Sequence, residues 1–324
     1  MSIDLFATVL DCAGRPLRLD RPRVVGILNL TPDSFSADGH HDSVEAAVAH
    51  GLRMAEEGAD MLDVGGESTR PGAAEVSLEE ELRRVLPVIE QLIAQTTLPI
   101  AIDTSKPQVM RAAVAAGAGM INDVWALRQD GAMEAAAELG VPVCLMHMQG
   151  EPRSMQADPH YDDVVGEVHR FLTDRLFACE LAGIDRRKVM LDPGFGFGKT
   201  LEHNLALLSA LERFSNLGSG VYAGLSRKSM IGTLTGKSEP AARAAGSAAA
   251  ALIAVQRGAR MVRVHDVAAT VDALAVWQGV HAVDVVPKRN EKTATTRWPD
   301  DDCMLQQHSK PTPSSLRRQG PSGL

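Results

Sequence analysis

Cysteine is scarce and scattered. The 324 residues hold four, Cys12, Cys144, Cys179 and Cys303, and none forms a Cys-x-x-Cys pair. That spacing argues against a disulfide framework and against a structural zinc site. Positive charge is also short, with 33 Lys and Arg against 41 Asp and Glu and a formal net charge of −8. A basic footprint over the whole surface, as nucleic-acid binding needs, is therefore excluded, whereas a local basic pocket for an anionic small molecule is not. Long apolar runs are missing too. The longest, 244–255, is mostly alanine with Arg243 and Arg257 close to its ends, too short and too weakly apolar to span a bilayer. The first ten residues have no basic flank, apolar run or small-residue cleavage site of the signal-peptide kind. No membrane association and a cytoplasmic location are the expectations.

What is present is enough apolar material for a sizeable core, 45% of residues, with 23% charged. It follows one grammar repeated eight times: a short apolar run, a polar loop, then an Ala- and Leu-rich amphipathic stretch. The runs fall at 24–28, 61–64, 100–102, 120–121, 143–146, 189–191, 221–225 and 261–264. The helical stretches fall at 43–57, 78–95, 107–116, 131–139, 161–182, 201–212, 241–257 and 267–279. Ser77 stands before Glu79, Glu80 and Glu81, a capping residue followed by acids that suit a positive helix start. Gly58, Gly117, Gly140, Gly183 and Gly258 each follow a helical stretch, where a left-handed residue is wanted.

Eight alternating units between residues 24 and 279 average about 32 residues, which predicts an α/β fold of the (β/α)8 TIM-barrel type. An open doubly wound sheet is the main competitor, but the first strand lacks the Gly-x-Gly-x-x-Gly turn that such sheets often carry. Residues 1–23 precede the barrel and read as a small hairpin about Ala13-Gly14, placed to close its N-terminal end. The catalytic barrel is expected over 24–282. From about 287 to 324 the composition turns polar, Pro-containing and aperiodic, which predicts a disordered tail.

In such a barrel the C-terminal ends of the strands carry the chemistry. All eight expected strands lead into polar residues: Asn29; Asp63 within the second strand, then Glu67 to Arg70; Asp103; Asn122 and Asp123; His147; Asp192; Ser226, Arg227 and Lys228; and Arg263 within the last strand, then His265 and Asp266. One acid before a helix is ordinarily just an N-cap. Eight polar strand ends together point to a site. Asp103, Asn122 and Asp192 offer carboxylate and amide edges suited to a flat, nitrogen-rich heterocycle, with Lys228 able to complement a ring carbonyl. Arg70, Arg263 and His265 suit a phosphate or diphosphate. Asn29 and nearby oxygens could hold Mg2+ beside a diphosphate. Asp63 could be a buried partner for a neighbouring loop. Ser226-Arg227-Lys228 lacks the Gly-x-Ser-x-Gly elbow of a serine hydrolase. Gly196-Phe197-Gly198-Lys199-Thr200 lacks the earlier glycine of a nucleotide phosphate loop.

These segments resemble a known family. Ile27-Leu28-Asn29-Leu30-Thr31-Pro32-Asp33-Ser34-Phe35-Ser36 and Asp63-Val64-Gly65-Gly66-Glu67-Ser68-Thr69-Arg70-Pro71-Gly72 are similar to signatures of the dihydropteroate synthase family of pterin-binding enzymes. So are Ile102-Asp103-Thr104-Ser105-Lys106-Pro107, Ile121-Asn122-Asp123-Val124 and Met146-His147-Met148-Gln149-Gly150. The later segments Asp192-Pro193-Gly194-Phe195-Gly196-Phe197-Gly198-Lys199, Ser226-Arg227-Lys228-Ser229 and Arg263-Val264-His265-Asp266-Val267 follow in family order.

The resemblance implies a transferase of folate synthesis. It would join 6-hydroxymethyl-7,8-dihydropterin diphosphate to 4-aminobenzoate, with Mg2+, and release diphosphate. It also implies roles. Asp103, Asn122, Met146, Asp192 and Lys228 would bind the pterin. Asn29, Thr69, Arg70, Arg263 and His265 would bind the diphosphate, with Asn29 at the metal. Phe35, Thr69, Arg70, Pro71, Phe197 and Ser226 would bind the aminobenzoate. Asp103, Asp192, Lys228, Arg263 and His265 would carry the reaction. Sulfonamides, which mimic aminobenzoate, are expected inhibitors, and a homodimer is the expected assembly. The first loop departs from the family run: Ala37 precedes Asp38, so the loop acid is displaced by one position. Two other readings share some of these features. A methyltetrahydrofolate-dependent methyltransferase barrel would not need the Ser226-Arg227-Lys228 and Arg263-x-His265 anion set. A non-catalytic pterin-binding paralogue would bind without turnover.

Overall fold

The computed structural model describes residues 8–30, 44–68, 74–151 and 154–284. The chain divides after Val283. The tail expected at 287–324 lies outside the described residues.

Eight parallel strands close into a barrel, each hydrogen-bonded to two neighbours. They are β3 (Arg23–Asn29), β4 (Met61–Gly65), β5 (Ile100–Asp103), β6 (Met120–Asp123), β7 (Val143–Met146), β8 (Val189–Asp192), β9 (Gly220–Ala223) and β10 (Ala259–Val264), with β10 returning to pair with β3. The expected (β/α)8 barrel is the observed one. Before it, β1 (Val9–Cys12) and β2 (Arg15–Arg18) make an antiparallel hairpin. Its two turn residues, Ala13 and Gly14, both take positive φ, 54° and 79°, the geometry that matches a two-residue loop to the strand twist.

Side chains on a strand alternate between its faces, and the barrel turns that alternation into two cores. One parity (Val24, Leu62, Val64, Ile102, Ile121, Leu145, Leu191, Val262) faces the helices and joins one large apolar cluster. The other parity (Val25, Met61, Ala101, Met120, Cys144, Met190, Tyr222, Met261) fills the lumen, where it packs with Leu10, Cys12, Leu17 and Leu19 of the hairpin. The hairpin is therefore the stopper of the barrel's N-terminal end. It is tied there by Arg15, whose guanidinium donates to Ile93 O, Thr96 O and Leu98 O at the C-terminal end of the helix Leu78–Gln95. Gly119 leaves room for it, since a Cβ at that position would stand 2.3 Å from Cys12 O.

The outer layer comprises α1 (Val44–Glu56), α2 (Leu78–Gln95), α3 (Pro107–Ala115), α4 (Ala132–Leu139), α5 (Val164–Leu181), α6 (Leu201–Ser209), α7 (Ser229–Thr235), α8 (Ala244–Gln256) and α9 (Val267–Asp284). Ser77 caps α2 as expected, accepting from Glu80 N. Several elements differ from the sequence expectation: α9 runs on to Asp284 instead of ending at 279, α6 ends at Ser209 instead of 212, α8 starts at Ala244 instead of 241, and two further differences have a local cause. α7 is an extra short helix directly after β9, ended by Gly236 in the left-handed region. α5 starts at Val164 because Asp163 caps it, accepting from Gly166 N. The alanine-rich α8 packs Ala248, Ala250, Ala251 and Ala254 inward. Among the described residues no helix is long and apolar enough to cross a membrane.

Candidate active site

The period that fills the lumen with methionine also builds the site. Two residues beyond Met61, Ala101, Met120, Cys144, Met190 and Met261 stand Asp63, Asp103, Asn122, Met146, Asp192 and Arg263, one step nearer the C-terminal mouth. A two-residue step keeps each on the lumen face, so six strands present one rim.

At this rim a buried charge network crosses four strands. Asp63 is fully buried, and its Oδ2 accepts from Arg263 Nε at 2.5 Å and from Asn122 Nδ2 at 3.0 Å. Arg263 Nη2 donates to Asp103 Oδ2 at 2.7 Å. Burial works against the Arg263 charge, but the Asp63 and Asp103 carboxylates outweigh it and hold the guanidinium more firmly protonated than usual. Burial pushes Asp103 up to about 7, although Arg263 pulls it down. Removing one partner from such a buried set costs about 3–5 kcal/mol, because a charge is stranded.

The β8 and β9 side carries a second set. Burial raises the pKa of Asp192, and its Oδ1 accepts from Gly194 N at 2.7 Å, which works the other way together with Lys228. Lys228 is brought down to about 8 by burial, against the pull of Asp192, and its Nζ sits 4.0 Å from the centre of the Phe197 ring. Phe197 and Trp125 pack on Val124, Met146, Met148 and Met155, forming an apolar wall beside these charges. Between Ser226 and Lys228 the backbone turns sharply, with Arg227 at φ 57°. Four contacts offset that strain of about 1–2 kcal/mol. Arg227 Nε and Nη2 donate to Asp266 at 3.0 and 2.6 Å, its N–H donates to Ser247 Oγ, and Arg243 Nη1 donates to its carbonyl. Ser226 Oγ accepts from His265 N at 3.1 Å and lies 3.0 Å from His265 Nδ1.

Asn29 ends β3 facing the same mouth. The point where a Gly65 Cβ would stand is 3.6 Å from Asn29 Oδ1 and 3.7 Å from Asp103 Oδ2, so both groups border the space that the glycine leaves unfilled. A cavity of about 510 Å3 opens at the C-terminal ends of β4, β5 and β6, lined by Asp103, Thr104, Ser105, Lys106, Val124 and Trp125 among others.

With this geometry in hand, three comparisons bear on the chain. The family model for pterin binding enzymes matches residues 25–265. The dihydropteroate synthase of Escherichia coli strain K12 is 53% identical over 263 residues, 81% of this chain and 93% of that protein. The chain belongs to the dihydropteroate synthase family. Solved structures of family members agree. The Xanthomonas albilineans dihydropteroate synthase with 4-aminobenzoic acid is 66% identical with a TM-score of 0.82, covering 87% of this chain and all of that one. The same enzyme has been solved with 7,8-dihydropteroate, at 64% identity and a TM-score of 0.78, covering 86% of this chain and 100% of that one. The Yersinia pestis enzyme in a sulfonamide drug complex is 48% identical with a TM-score of 0.81, covering 85% and 99%. Like its family, this chain is a transferase.

Of the residues expected at a dihydropteroate synthase site, Asp103, Asn122 and Arg263 meet in one network. Lys228 stands over the Phe197 ring, Met146 lines the wall beside it, Asp192 is buried on the same rim, Ser226 pairs with His265, and Asn29 and Asp103 both border the space beside Gly65. Phe35, Thr69, Arg70 and Pro71 lie outside the described residues, as does the shifted loop acid Asp38.

Three groupings were not legible in the sequence. Asp63 is the partner of Arg263 and Asn122 rather than of a loop; its lumen parity, two past Met61, is the signal that finds it. Glu81 is not a solvated helix-start acid. It is buried, accepts from Thr104 Oγ1 at 2.6 Å and pairs with Lys106, which also reaches Glu67 at 2.5 Å. Lys199 and His147 form a buried pair that no spacing announces.

Proposed function

We propose that residues 24–282 act as a catalytic barrel that joins 6-hydroxymethyl-7,8-dihydropterin diphosphate to 4-aminobenzoate, giving 7,8-dihydropteroate and diphosphate. The observation that carries this is the convergence of Asp103, Asn122, Asp192, Lys228 and Arg263 on one rim in a chain of this family. Asp103, Asn122, Asp192 and Lys228 supply the in-plane donors and acceptors for the pterin, and Met146 lines its face. Arg263 and His265 meet the diphosphate. Arg263 is well suited to this, because Nε and Nη2 are spent on Asp63 and Asp103 while Nη1 belongs to neither contact. Phe197 and Ser226 border the aminobenzoate, together with Phe35, Thr69, Arg70 and Pro71. Thr69 and Arg70 also serve the diphosphate.

The bond between the pterin CH2 and the diphosphate oxygen breaks first, and its electron pair leaves with the oxygen. The positive charge left on the carbon spreads into the ring, where the Asp103 and Asp192 carboxyls favour it, while Arg263 and His265 favour the departing anion. The aniline nitrogen then forms the new C–N bond and loses a proton. A pterin made electron-poor should slow the reaction; turnover at the natural rate would sink the dissociative order.

Mg2+ fits this site only as a companion of the diphosphate. Among the described residues no group of three His, Cys, Asp or Glu could hold a metal, and Asn29 offers one neutral oxygen at the mouth. Asn29 would hold the ion, and the ion would offset the diphosphate charge.

Sulfonamides would occupy the aminobenzoate side. A homodimer is supported by α9, which leaves Val276, Val280 and Val283 exposed on one face at i, i+4 and i+7. A cytoplasmic setting is supported by the buried, unpaired Cys12, Cys144 and Cys179. Incubation with both substrates and Mg2+ tests the reading. Diphosphate release that requires aminobenzoate is expected, and its absence from a well-folded chain would leave only binding.

A further inference from the structure

Lys199 ends the loop that follows β8, yet its side chain is turned inward and is only 3% exposed. Its Nζ stands 2.9 Å from Gly194 O, 2.9 Å from Phe197 O and 3.0 Å from His147 Nδ1. An ammonium has three N–H bonds and nothing to accept with. Three acceptors meet three donors, each from a different residue. Burial brings Lys199 down to about 7 against the pull of Asp192, and with Lys199 protonated His147 accepts through Nδ1 and carries its own proton on Nε2. Burial, reinforced by the Lys199 charge, pushes His147 down to about 2 and supports that state.

The loop has other ties, Gly194 N to Asp192 Oδ1, Phe197 N to Gly194 O and Gln156 Nε2 to Gly196 O among them, but each fixes one point of it. Gly194, Gly196 and Gly198 all take positive φ, at 70°, 78° and 62°. Gly194 and Gly198 lie flat on the chain after β7, where a Cβ would come 1.8 Å from His147 O and 2.6 Å from Gln149 O respectively. Asn204 Oδ1 accepts from Gly196 N, and Tyr161 OH donates to Gly198 O. Lys199 is the group that ties the start of the loop, its aromatic residue and the β7 end to a single atom. The Phe197 ring so placed lies 4.0 Å from Lys228 Nζ.

We infer that Lys199 is a positioning residue for the condensation: by donating at once to Gly194 O, Phe197 O and His147 Nδ1, it fixes the loop that sets the Phe197 ring against the Lys228 ammonium at the aminobenzoate side. The inference rests on the proposed function for the meaning of that side. Lys199 touches no reacting atom and acts through Phe197. Its charge also faces Asp192, so its removal has a second, smaller effect on the pterin.

Lys199→Met keeps the length of the side chain and removes all three donors. Steady-state kinetics should show KM for 4-aminobenzoate raised roughly tenfold, against about two- to threefold for the pterin diphosphate, because displacement of a contact by about 1 Å is costly. A crystal structure of the same variant should show the Phe197 ring moved away from Lys228. Equal changes in the two constants, or a Phe197 ring left in place, would overturn the inference. Should Lys199→Met fail to fold, His147→Leu removes one acceptor of the three and should give the same inequality at smaller size; equal constants there would overturn it as well. An unaltered chain that does not turn over would sink the proposed function instead, and the position of Phe197 in the variant would then decide this inference alone.

Discussion

Arg263 on β10 donates Nη2–H to Asp103 Oδ2 on β5 over 2.7 Å, reaching across the mouth of the barrel past β3 and β4. The same guanidinium holds Asp63 on β4. One cation thus gathers acids from two strands, neither of them its neighbour in the sheet. The consequences are electrostatic as much as architectural, because every member of the set is buried or nearly so.

Asp103 makes the pH dependence of folding testable. An ordinary Asp titrates near 3.9, while burial in the fold pushes Asp103 up to about 7. Between those values the folded chain holds a proton that the unfolded chain has lost. The stability this group contributes is therefore complete below about pH 4 and is lost as pH rises through about 7. Asp103→Asn removes the titration. Urea unfolding of the chain and the variant from pH 4.5 to 8.5 should give a difference, chain minus variant, that falls with pH and levels off above about pH 8. A difference that rises over this window would contradict the placement of Asp103.

Lys228 stands over the Phe197 ring, and the Asp192 carboxyl favours its charge. Lys228→Met keeps the stem and removes the charge. A hydrogen bond from a charged group is worth about 1.5–3 kcal/mol, so kcat/KM for the pterin diphosphate should fall roughly 10- to 100-fold. Thermal unfolding should change little or rise slightly, since a desolvated ammonium is gone. Unchanged kinetics would remove Lys228 from the pterin.

Gly119 tests the stopper rather than the site. A Cβ there would lie 2.3 Å from Cys12 O, and neither backbone can yield freely. Gly119→Ala should destabilise the fold by about 1–3 kcal/mol, read by urea unfolding, with both KM values unchanged. A shift in either KM would show that the N-terminal end of the barrel communicates with the mouth.

Chelation separates the metal from the fold. The described residues provide no cluster of three metal-binding acids, thiols or imidazoles. EDTA should therefore leave the melting temperature of the free chain unchanged, and if Mg2+ has its proposed role beside the diphosphate, chelation should abolish turnover, with activity restored by Mg2+. A melting temperature that drops on chelation would reveal a structural ion instead.

The alternation of apolar runs with Ala- and Leu-rich stretches was enough to foresee the barrel, because each strand must bury both faces and each helix one. The strand ends are equally legible: Asn29, Asp103, Asn122 and Asp192 stand where the apolar runs stop, and Arg263 interrupts the last run. Local rules also held at Ser77 of α2 and at the Ala13-Gly14 turn, since caps and tight turns depend on adjacent residues alone. α7 has no signal in the sequence, because Ser229–Thr235 is a seven-residue helix with no period long enough to read.

Pairings across the molecule were beyond the reach of the linear order. Nothing near Asp63 in the chain points to Arg263, which is 200 positions away; only closure of the sheet through β10 and β3 sets them opposite each other. Lys199 could equally have been a solvated loop lysine, and Glu81 one more acid at a helix start. Their partners, His147 and Lys106, are delivered by other strands and loops, and burial then turns each contact from optional to obligatory. Residue order along the chain thus prescribes which elements form and which faces they hide. Ring closure and desolvation prescribe which charges meet, because distance in space and the loss of water come into being only when the barrel is complete.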